Sequence, residues 1–191
     1  MDNKGDIFYI GQVLDGKTNA FAYIVERHKD HAYNLALRIC GNPEEAEEIA
    51  QDSFLKAYRS LTHFKMRSSF ATWLYRIVYN TAVSLVRTRK KRVLSLEDFP
   101  ADATDFIGSG SSEEEAVEEY RSSLVNFALQ KISEEERALI TLYYYEELSI
   151  EEISDITSIS KSNVKVKLFR ARQKMIGIIE KIEKKNLIYH E

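Results

Sequence analysis

Residues 149–175 read SIEEISDITSISKSNVKVKLFRARQKM, and this stretch decides the fold of the second half of the chain. Ser149 followed by Glu152 is the capping-box pattern that starts a helix. After an interruption at residues 157–159, Ser160 can cap a second helix by accepting a hydrogen bond from a free backbone N–H. The second helix then carries apolar residues at helical spacing, at Val164, Leu168, Ala171, Met175, Ile178 and Ile182. Two helices joined by a short turn, each with one apolar face, predict a helix-turn-helix.

The opposite face of the second helix is polar and rich in cations. Its centre is a small ridge with cations on both sides, formed by Ser162, Val166, Phe169 and Gln173. A helix in the major groove of DNA needs this arrangement, because flanking charges reach phosphates while short side chains meet base edges. The candidate duplex-contacting residues are Ser160, Lys161, Ser162, Asn163, Lys165, Val166, Lys167, Phe169, Arg170, Arg172 and Gln173. A merely solvated basic face is the alternative, which the paired capping residues and the two-sided bracketing disfavour.

The overall charge of the chain explains why these cations are concentrated on one surface. The 191 residues include 27 basic and 30 acidic residues, for a formal net charge of −3. A uniformly basic coat is therefore excluded, and phosphate attraction must be confined to particular faces. With only 7 Gly and 2 Pro, and with many windows dominated by Glu, Lys, Leu, Ile and Ala, the composition predicts an all-α chain.

Composition also bears on the cellular compartment. Cys40 is the only cysteine, which excludes an internal disulfide and fits a reducing environment. Residues 1–4 lack the basic start and apolar run of a signal peptide, and no window has the length and apolarity of a membrane span. These observations predict a cytoplasmic protein without direct membrane insertion.

The middle of the chain differs from both halves. Between residues 93 and 120 there are nine acidic residues and no Lys or Arg. Pro100 and the Gly/Ser run at residues 108–112 interrupt helix formation. We predict a flexible acidic linker over residues 96–116, between two small helical domains at residues 1–95 and 117–191. A long surface loop within one domain is the alternative, although structureless loops of that length are uncommon in compact domains.

The first half contains a second candidate nucleic-acid surface. After a helix start at Asn42 and Pro43, residues 54–92 interleave aromatic residues with cations. Aromatic faces can stack on unpaired bases while cations follow the backbone, which is how proteins hold single strands. The segment at residues 63–69 lies between two helical patterns and is rich in Lys, Arg and Ser, so a loop there could hold an extruded base. For each aromatic residue taken alone, a place in the core is the alternative.

Three stretches resemble a known family. NPEEAEEIAQDSFLKAYRSLTHF at residues 42–64 and SSFATWLYRIVYNTAVSLVRTRKKR at residues 68–92 resemble the second region of the extracytoplasmic function (ECF) sigma factors. These are small bacterial initiation factors that give RNA polymerase its promoter specificity. LSIEEISDITSISKSNVKVKLFRARQKM at residues 148–175 resembles their fourth region, and the acidic linker lies where the family has one. The resemblance spans roughly residues 10–180, and the order and separation of the motifs make it specific.

The resemblance implies partners and sites. Core RNA polymerase would contact the chain through the clamp helices of its largest subunit and the flap of its second largest, and promoter DNA would be bound both as duplex and as melted single strand. Residues matching the clamp-helix surface are Glu48, Ile49, Gln51, Asp52, Phe54 and Leu55. Residues matching the base-capture loop and following helix at the downstream (−10) element are His63, Phe64, Lys65, Arg67, Ser68, Ser69, Phe70, Trp73, Arg76 and Asn80. The helix at residues 160–174 matches the reader of the upstream (−35) element.

The chain departs from the family pattern at four positions. The family often has an acid where Ser84 stands, Ala at Ser154, Gly at Ser158 and Thr at Asn163. Ser158 lies in the predicted turn and adopts positive φ less freely than Gly, which predicts strain there. Asn163 lies near the start of the reading helix and could read a different base or contact a phosphate, so the resemblance does not fix the upstream sequence that this chain prefers.

Two other functional classes agree less well with the sequence than a sigma factor does. A two-domain helix-turn-helix regulator that binds duplex DNA unaided is the main alternative, but it has no use for a base-capture loop. An enzyme is disfavoured because the sequence has no Gly-rich phosphate loop and no zinc-type set of Cys and His. His28 and His31 share a helix face but have no evident third metal ligand, so two surface histidines are the favoured interpretation. We expect no catalytic residue, no metal and no cofactor.

The run Tyr143–Tyr145 matches no motif that indicates a function. On a helix, at most one or two of these residues can face the core, which leaves the others for an interface between the halves or with a partner. ECF sigma factors are often held by an anti-sigma factor that contacts both regions, and exposed aromatic residues suit such an interface.

Overall fold

The computed structural model describes residues 3–93 and 113–188, and the secondary structure within these ranges is helical throughout. The α-helices are α1 (Asn3–Leu14), α2 (Phe21–Cys40), α3 (Pro43–Arg59), α4 (Phe70–Val93), α5 (Glu113–Lys131), α6 (Glu134–Ile140), α7 (Ile150–Thr157) and α8 (Lys161–Ile188). Short 3-10 turns lie at Thr18–Ala20 and Leu61–His63, and a π-helical turn lies at Thr141–Tyr145. The all-α prediction is confirmed.

The start of α5 differs from the predicted domain boundary. The helix begins at Glu113, so residues 113–116 are helical and do not belong to the linker predicted over residues 96–116. The rest of that linker, residues 96–112, lies outside the described residues.

The first half is a bundle in which α2, α3 and α4 pack against one another, with α1 against α2. Gly41 ends α2 with a left-handed φ of 73°, and the Asn42 side chain then accepts a hydrogen bond of 2.9 Å from the Glu45 backbone N–H at the start of α3. This two-residue connection makes α2 and α3 antiparallel neighbours. The helix start predicted at Asn42 and Pro43 is confirmed.

The second half is built around the helix-turn-helix formed by α7 and α8. The predicted capping box of Ser149 and Glu152 is present at the start of α7, and a second capping box, formed by Ser133 and Glu136, starts α6. The inward face of α8 is buried at the predicted positions, Val164, Leu168, Ala171 and Met175. Packing of α8 against α5, α6 and α7 fixes which face of this helix is left open.

The turn between α7 and α8 depends on two serines. Ser158 ends α7 with a φ of 58°, a left-handed conformation that L-residues adopt at a cost of about 1–2 kcal/mol. The Ser154 hydroxyl donates a hydrogen bond of 2.6 Å to the Ile159 carbonyl oxygen across this turn. Ser154, which stands where the family often has Ala, thus stabilises the turn. Ser158, in the same turn, stands where the family often has Gly.

Replacing Ser158 with Gly is expected to stabilise the protein. Glycine adopts positive φ without a steric penalty, so part of the strain energy is recovered even after the entropy cost of the more flexible unfolded chain. We expect a gain of about 1 kcal/mol, which corresponds to a thermal midpoint about 2–4 °C higher. Ser158→Ala keeps the Cβ atom and is the control: a rise of the same size in that variant would show that the strain does not come from φ.

The two halves pack together through a continuous hydrophobic core, in which α2 and α4 contact α6 and α7. Glu146 is central to this interface, because its side chain is only 7% exposed and its Oε2 atom accepts hydrogen bonds from two residues of the first half. The Tyr75 hydroxyl donates at 2.6 Å, and His31 Nδ1 lies at 3.0 Å. Nearby, the Thr72 hydroxyl donates to Glu152 Oε1 at 3.2 Å. The interface therefore places two carboxylates of the second half on hydroxyl donors of α4.

Two arginines complete the interface between the halves. The Arg38 guanidinium lies over the Tyr145 ring, 3.5 Å from its centroid. Arg137 of α6 donates to the Ile39 carbonyl oxygen at 3.5 Å and to the Ile132 carbonyl oxygen at 3.4 Å. A cation at the carbonyl end of α2 is favourable because that end of the helix carries partial negative charge.

His28 is the buried polar centre of the first half. Its Nε2 atom lies 3.1 Å from Asp6 Oδ2, and the other oxygen of Asp6 lies 3.2 Å from Arg27 Nη1. The expectation of a surface histidine is wrong here, because position 28 falls on the inward stripe of α2 with Ile24 and Ala32. Burial lowers the pKa of His28, although the Asp6 carboxylate acts in the opposite direction.

The lowered pKa of His28 predicts a loss of stability in mild acid. The unfolded chain takes up a proton near pH 6.5 that the folded chain takes up only at lower pH, so the free energy of unfolding should fall as pH drops below about 6.5. Thermal midpoints measured from about pH 7.5 to about pH 5.5 test this. His28→Gln cannot titrate, so its midpoint should fall less over that range, and an equal fall in both proteins would contradict the assignment to His28.

Candidate nucleic-acid and polymerase interface

The candidate reading face of α8 is open to solvent. Of the eleven residues predicted to contact duplex DNA, ten are exposed and only Lys167 is half-buried. Phe169 and Val166 are 55% and 44% exposed, which is unusual for apolar side chains that serve only the fold. An exposed apolar ridge between polar residues can contact thymine methyl groups in the major groove.

The cations beside this ridge differ in whether they have partners within the protein. Several are held by acidic partners in the same half: Lys167 Nζ lies 3.0 Å from Glu135, Lys174 pairs with Glu136, and Lys161 Nζ lies 3.0 Å from Glu151. These pairs neutralise charge, and the first two brace α8 against α6. Lys165 and Arg170, by contrast, form no hydrogen bond or ion pair with the part of the chain that the structure describes. Their charge is available for phosphates.

The candidate base-capture loop has an exposed rim and an aromatic floor. His63, Lys65 and Arg67 are exposed, and Ser68 is half-buried. Phe64 and Phe70 are buried in the core, which was the alternative to a stacking role for each aromatic residue. Neither ring therefore has a free face for stacking on a base. They form a cluster with Trp73, whose ring centroid lies 5.2 Å from that of Phe64 and 5.6 Å from that of Phe70. The half-buried Trp73 is therefore the aromatic residue of this set nearest to solvent.

The end of the loop is fixed by hydrogen bonds that sequence reasoning missed. Ser69 Oγ accepts from the Thr72 backbone N–H at 3.0 Å, which caps α4, and lies 2.8 Å from the Thr72 hydroxyl. Met66 lies at the tip with a φ of 55° and is 51% exposed. No sequence signal indicates this left-handed position, since Met has no preference for it. Beyond the cap, Arg76 and Asn80 are exposed on α4.

The candidate polymerase surface lies on the outward face of α3. Glu48, Gln51 and Leu55 are exposed, with Leu55 54% exposed. Asp52 is half-buried and pairs with Lys56, whose Nζ lies 2.7 Å from Asp52 Oδ2. The other two predicted members of this surface are in the core, since Ile49 and Phe54 are 1% and 7% exposed. These two residues support the surface from beneath and do not form it.

A groove between α3 and α4 joins two of the candidate sites. Glu48 and Asp52 line it from α3, and Asn80 and Arg89 line it from α4. Within residues 3–93 and 113–188, no group of three or more His, Cys, Asp or Glu side chains could hold a metal ion. In the same ranges, no helix has both the length and the apolarity needed to cross a membrane.

Comparison with known proteins agrees with this arrangement. The family model for Sigma-70 region 2 matches residues 24–92, and the model for Sigma-70, region 4 matches residues 124–175. The chain is 34% identical over 176 residues to the ECF RNA polymerase sigma factor SigW of Bacillus subtilis, which covers 86% of this chain and 91% of SigW. It is 31% identical over 170 residues to the RNA polymerase sigma-H factor of Pseudomonas aeruginosa, with 86% of this chain and 88% of that protein covered.

Two solved structures share the fold. The sigma factor RpoE in complex with the anti-sigma factor NepR from Bartonella quintana superposes with a TM-score of 0.66 and 22% identity, over 84% of this chain and 96% of RpoE. CnrH in complex with the cytosolic domain of CnrY superposes with a TM-score of 0.65 and 22% identity, over 92% of this chain and 97% of CnrH. With both family regions in order and a relative matched along nearly its whole length, this chain belongs to the ECF family of RNA polymerase sigma factors, which direct promoter recognition and DNA melting at the start of transcription.

Proposed function

We propose that this sigma factor reads the upstream element of its promoters with the open face of α8. The observation that carries the proposal is the exposed ridge of Ser162, Val166 and Phe169, flanked by the unpaired cations Lys165 and Arg170. Phosphate contacts from the two cations would set the register of the helix on the duplex, and the ridge with Asn163 would read base edges. The remaining candidate residues of this face are Ser160, Lys161, Lys167, Arg172 and Gln173, of which Lys167 would first have to leave Glu135.

The downstream element is proposed to bind as a melted strand along the loop at residues 63–70 and the start of α4. His63, Lys65 and Arg67 are exposed along the loop itself, and Arg76 and Asn80 are exposed on α4 beyond it. Phe64, Phe70 and Ser69 would act as the floor and the cap that hold the loop in shape, and Trp73 would be the nearest aromatic surface for a base. Stacking of this kind is worth about 1–3 kcal/mol per base.

Core polymerase is proposed to bind the outward face of α3 through the clamp helices of its largest subunit. Glu48, Gln51 and Asp52 lie on the same face of α3 as the exposed Leu55, and a mixture of apolar and polar residues is typical of protein interfaces. The flap of the second largest subunit would contact the C-terminal domain, which we place at residues 113–191. The polymerase would carry out the chemistry of RNA synthesis, and this chain would have no catalytic residue of its own. Its partners would place it in the cytoplasm.

An anti-sigma factor is a proposed regulatory partner. Two structures with the same fold contain a bound partner: the sigma factor RpoE is in complex with the anti-sigma factor NepR, and CnrH is in complex with the cytosolic domain of CnrY. These complexes support the proposal that a similar regulator binds this chain.

The test is run-off transcription by core polymerase together with this protein from a pool of randomised promoters. If each template carries a transcribed barcode, the templates that yield transcripts are expected to share two sequence boxes at a fixed spacing upstream of the start site, and those template sequences would identify both elements. If polymerase remained inactive while the protein alone shifted duplex DNA, the chain would act as a helix-turn-helix regulator, and the loop at residues 63–70 would need another role.

A further inference from the structure

The run Tyr143–Tyr145, which sequence analysis left without a role, lies on the π-helical turn that precedes the helix-turn-helix. Its members face different neighbours. Tyr145 lies beneath the Arg38 guanidinium of the first half, whereas the Tyr144 hydroxyl oxygen accepts a hydrogen bond of 3.0 Å from Arg172 Nη1 of α8. Tyr143 packs edge-on against Tyr144, with ring centroids 4.9 Å apart. Tyr144 is therefore the tyrosine that faces the reading helix.

The partner of Arg172 differs in charge from the partners of the other held cations. Lys161, Lys167 and Lys174 each pair with a glutamate, whereas Arg172 is held by a neutral phenol. The guanidinium is thus fixed in place while its positive charge remains uncompensated. Because Arg172 is the donor in this hydrogen bond, the Tyr144 hydroxyl still has its own proton to donate, and the described residues provide no acceptor for it.

The positions of Tyr144 and Arg172 and their exposure to solvent are suited to a contact with the DNA backbone. Tyr144 is 47% exposed, and Arg172 lies on the same flank of α8 as the unpaired Lys165, seven residues or two helical turns away. A guanidinium and a hydroxyl side by side form a donor pair that suits a phosphate oxygen, and Arg and Tyr side chains are both among those that donate to DNA phosphates.

Building on the proposed upstream reading face, we propose that Tyr144 is a further DNA-contacting residue of this sigma factor. Its hydroxyl donates to a backbone phosphate of the upstream duplex and also orients Arg172 toward that phosphate. The contact is independent of base sequence, so it contributes affinity and register and leaves the preferred sequence unchanged.

The test compares binding of holoenzymes, made of core polymerase and each variant, to a duplex that carries the upstream box. Tyr144→Phe, which removes one hydroxyl from an exposed residue, is expected to weaken binding about 10-fold without changing the salt dependence, because no charge is lost. Arg172→Gln is expected to weaken binding and to make the negative slope of log K against log salt shallower by about 0.9. The double variant should lose less than the product of the two single losses, because Tyr144 acts partly through Arg172.

Three controls make the outcome decisive. Tyr143→Phe removes a hydroxyl from the neighbouring ring and should leave binding unchanged, and thermal midpoints should match the parent protein for both Phe variants. If Tyr144→Phe binds like the parent while Arg170→Gln binds more weakly, the inference about Tyr144 is overturned and the proposed reading face stands. If Arg170→Gln also has no effect, the reading face itself is refuted. A change in preferred sequence in Tyr144→Phe would also overturn the inference, since it would indicate a base contact.

Discussion

Reversing the charge of both Lys165 and Arg170 to Glu is expected to weaken binding to the upstream box strongly. These cations flank the exposed ridge of α8 and form no close ion pair among the described residues, although Lys165 lies within electrostatic range of Glu151, so their charge is available for phosphates. Loss of two phosphate contacts should make the negative slope of log K against log salt shallower by about 1.8, and the added repulsion should weaken binding by about 100-fold or more at low salt. Affinity of the holoenzyme for an upstream duplex, measured over a series of salt concentrations, gives both values.

A matched control is present on the same helix. Lys181 and Lys184 are exposed on α8 beyond the proposed reading face, and replacing both with Glu changes the net charge by the same amount. If contact with DNA is local, this control should retain most of the affinity and most of the salt slope. Equal losses in the two double variants would indicate general attraction between the protein and DNA in place of a defined face.

Replacing Tyr75 with Ala is expected to be the most destabilising substitution at the interface between the halves. Tyr75 is 1% exposed, so its removal leaves a large cavity, and Glu146 loses its 2.6 Å hydrogen bond in a buried position. Phe→Ala and Trp→Ala changes in cores cost about 3–5 kcal/mol, and we expect a similar loss here. For a chain of this length, that loss corresponds to a thermal midpoint lower by about 6–20 °C. Thermal denaturation followed by circular dichroism measures the change.

Tyr75→Phe separates packing from hydrogen bonding. The ring is kept and only the donor to Glu146 is lost, so the expected cost is about 1–3 kcal/mol, the penalty for a buried acceptor without its partner. His31 still contacts the same carboxylate oxygen, which keeps the loss below that of the Ala variant. An unchanged midpoint in Tyr75→Phe would mean that the two halves do not depend on this hydrogen bond.

The helix starts and the helix-turn-helix were predictable because their signals are local. Asn42, Ser133 and Ser149 each cap a helix through a backbone N–H three residues away, so the pattern is readable along the chain. Strain at Ser158 was predictable for the same reason, since its φ depends on the turn itself. The start of α5 was not predicted, because the acidic run at residues 113–115 resembles a linker but also favours the positive end of a helix dipole.

Contacts between distant residues could not be predicted from local patterns. Glu146 and His31 are 115 residues apart in the sequence, and neither one signals the other. Lys167 has the sequence position of a phosphate contact, yet Glu135 of α6 satisfies the same charge. The aromatic residues Phe64 and Phe70 fit either a stacking surface or a core, and only the packing around Trp73 assigns them to the core. Residue types in the sequence therefore identified the candidate residues. Only the structure shows which of their side chains are exposed and unpaired, and so able to contact DNA.

The packing of the two halves also determines which faces of the molecule a partner can bind without first separating the halves. The halves belong to one chain, so their association is intramolecular, and each half meets the other at a local concentration that does not depend on the protein concentration. A partner that binds a face buried between them, such as the face of α4 around Thr72 and Tyr75, must compete with that local concentration. A partner that binds the outward face of α3 or the open face of α8 meets no such competitor. Binding to these two open faces can therefore precede any separation of the halves.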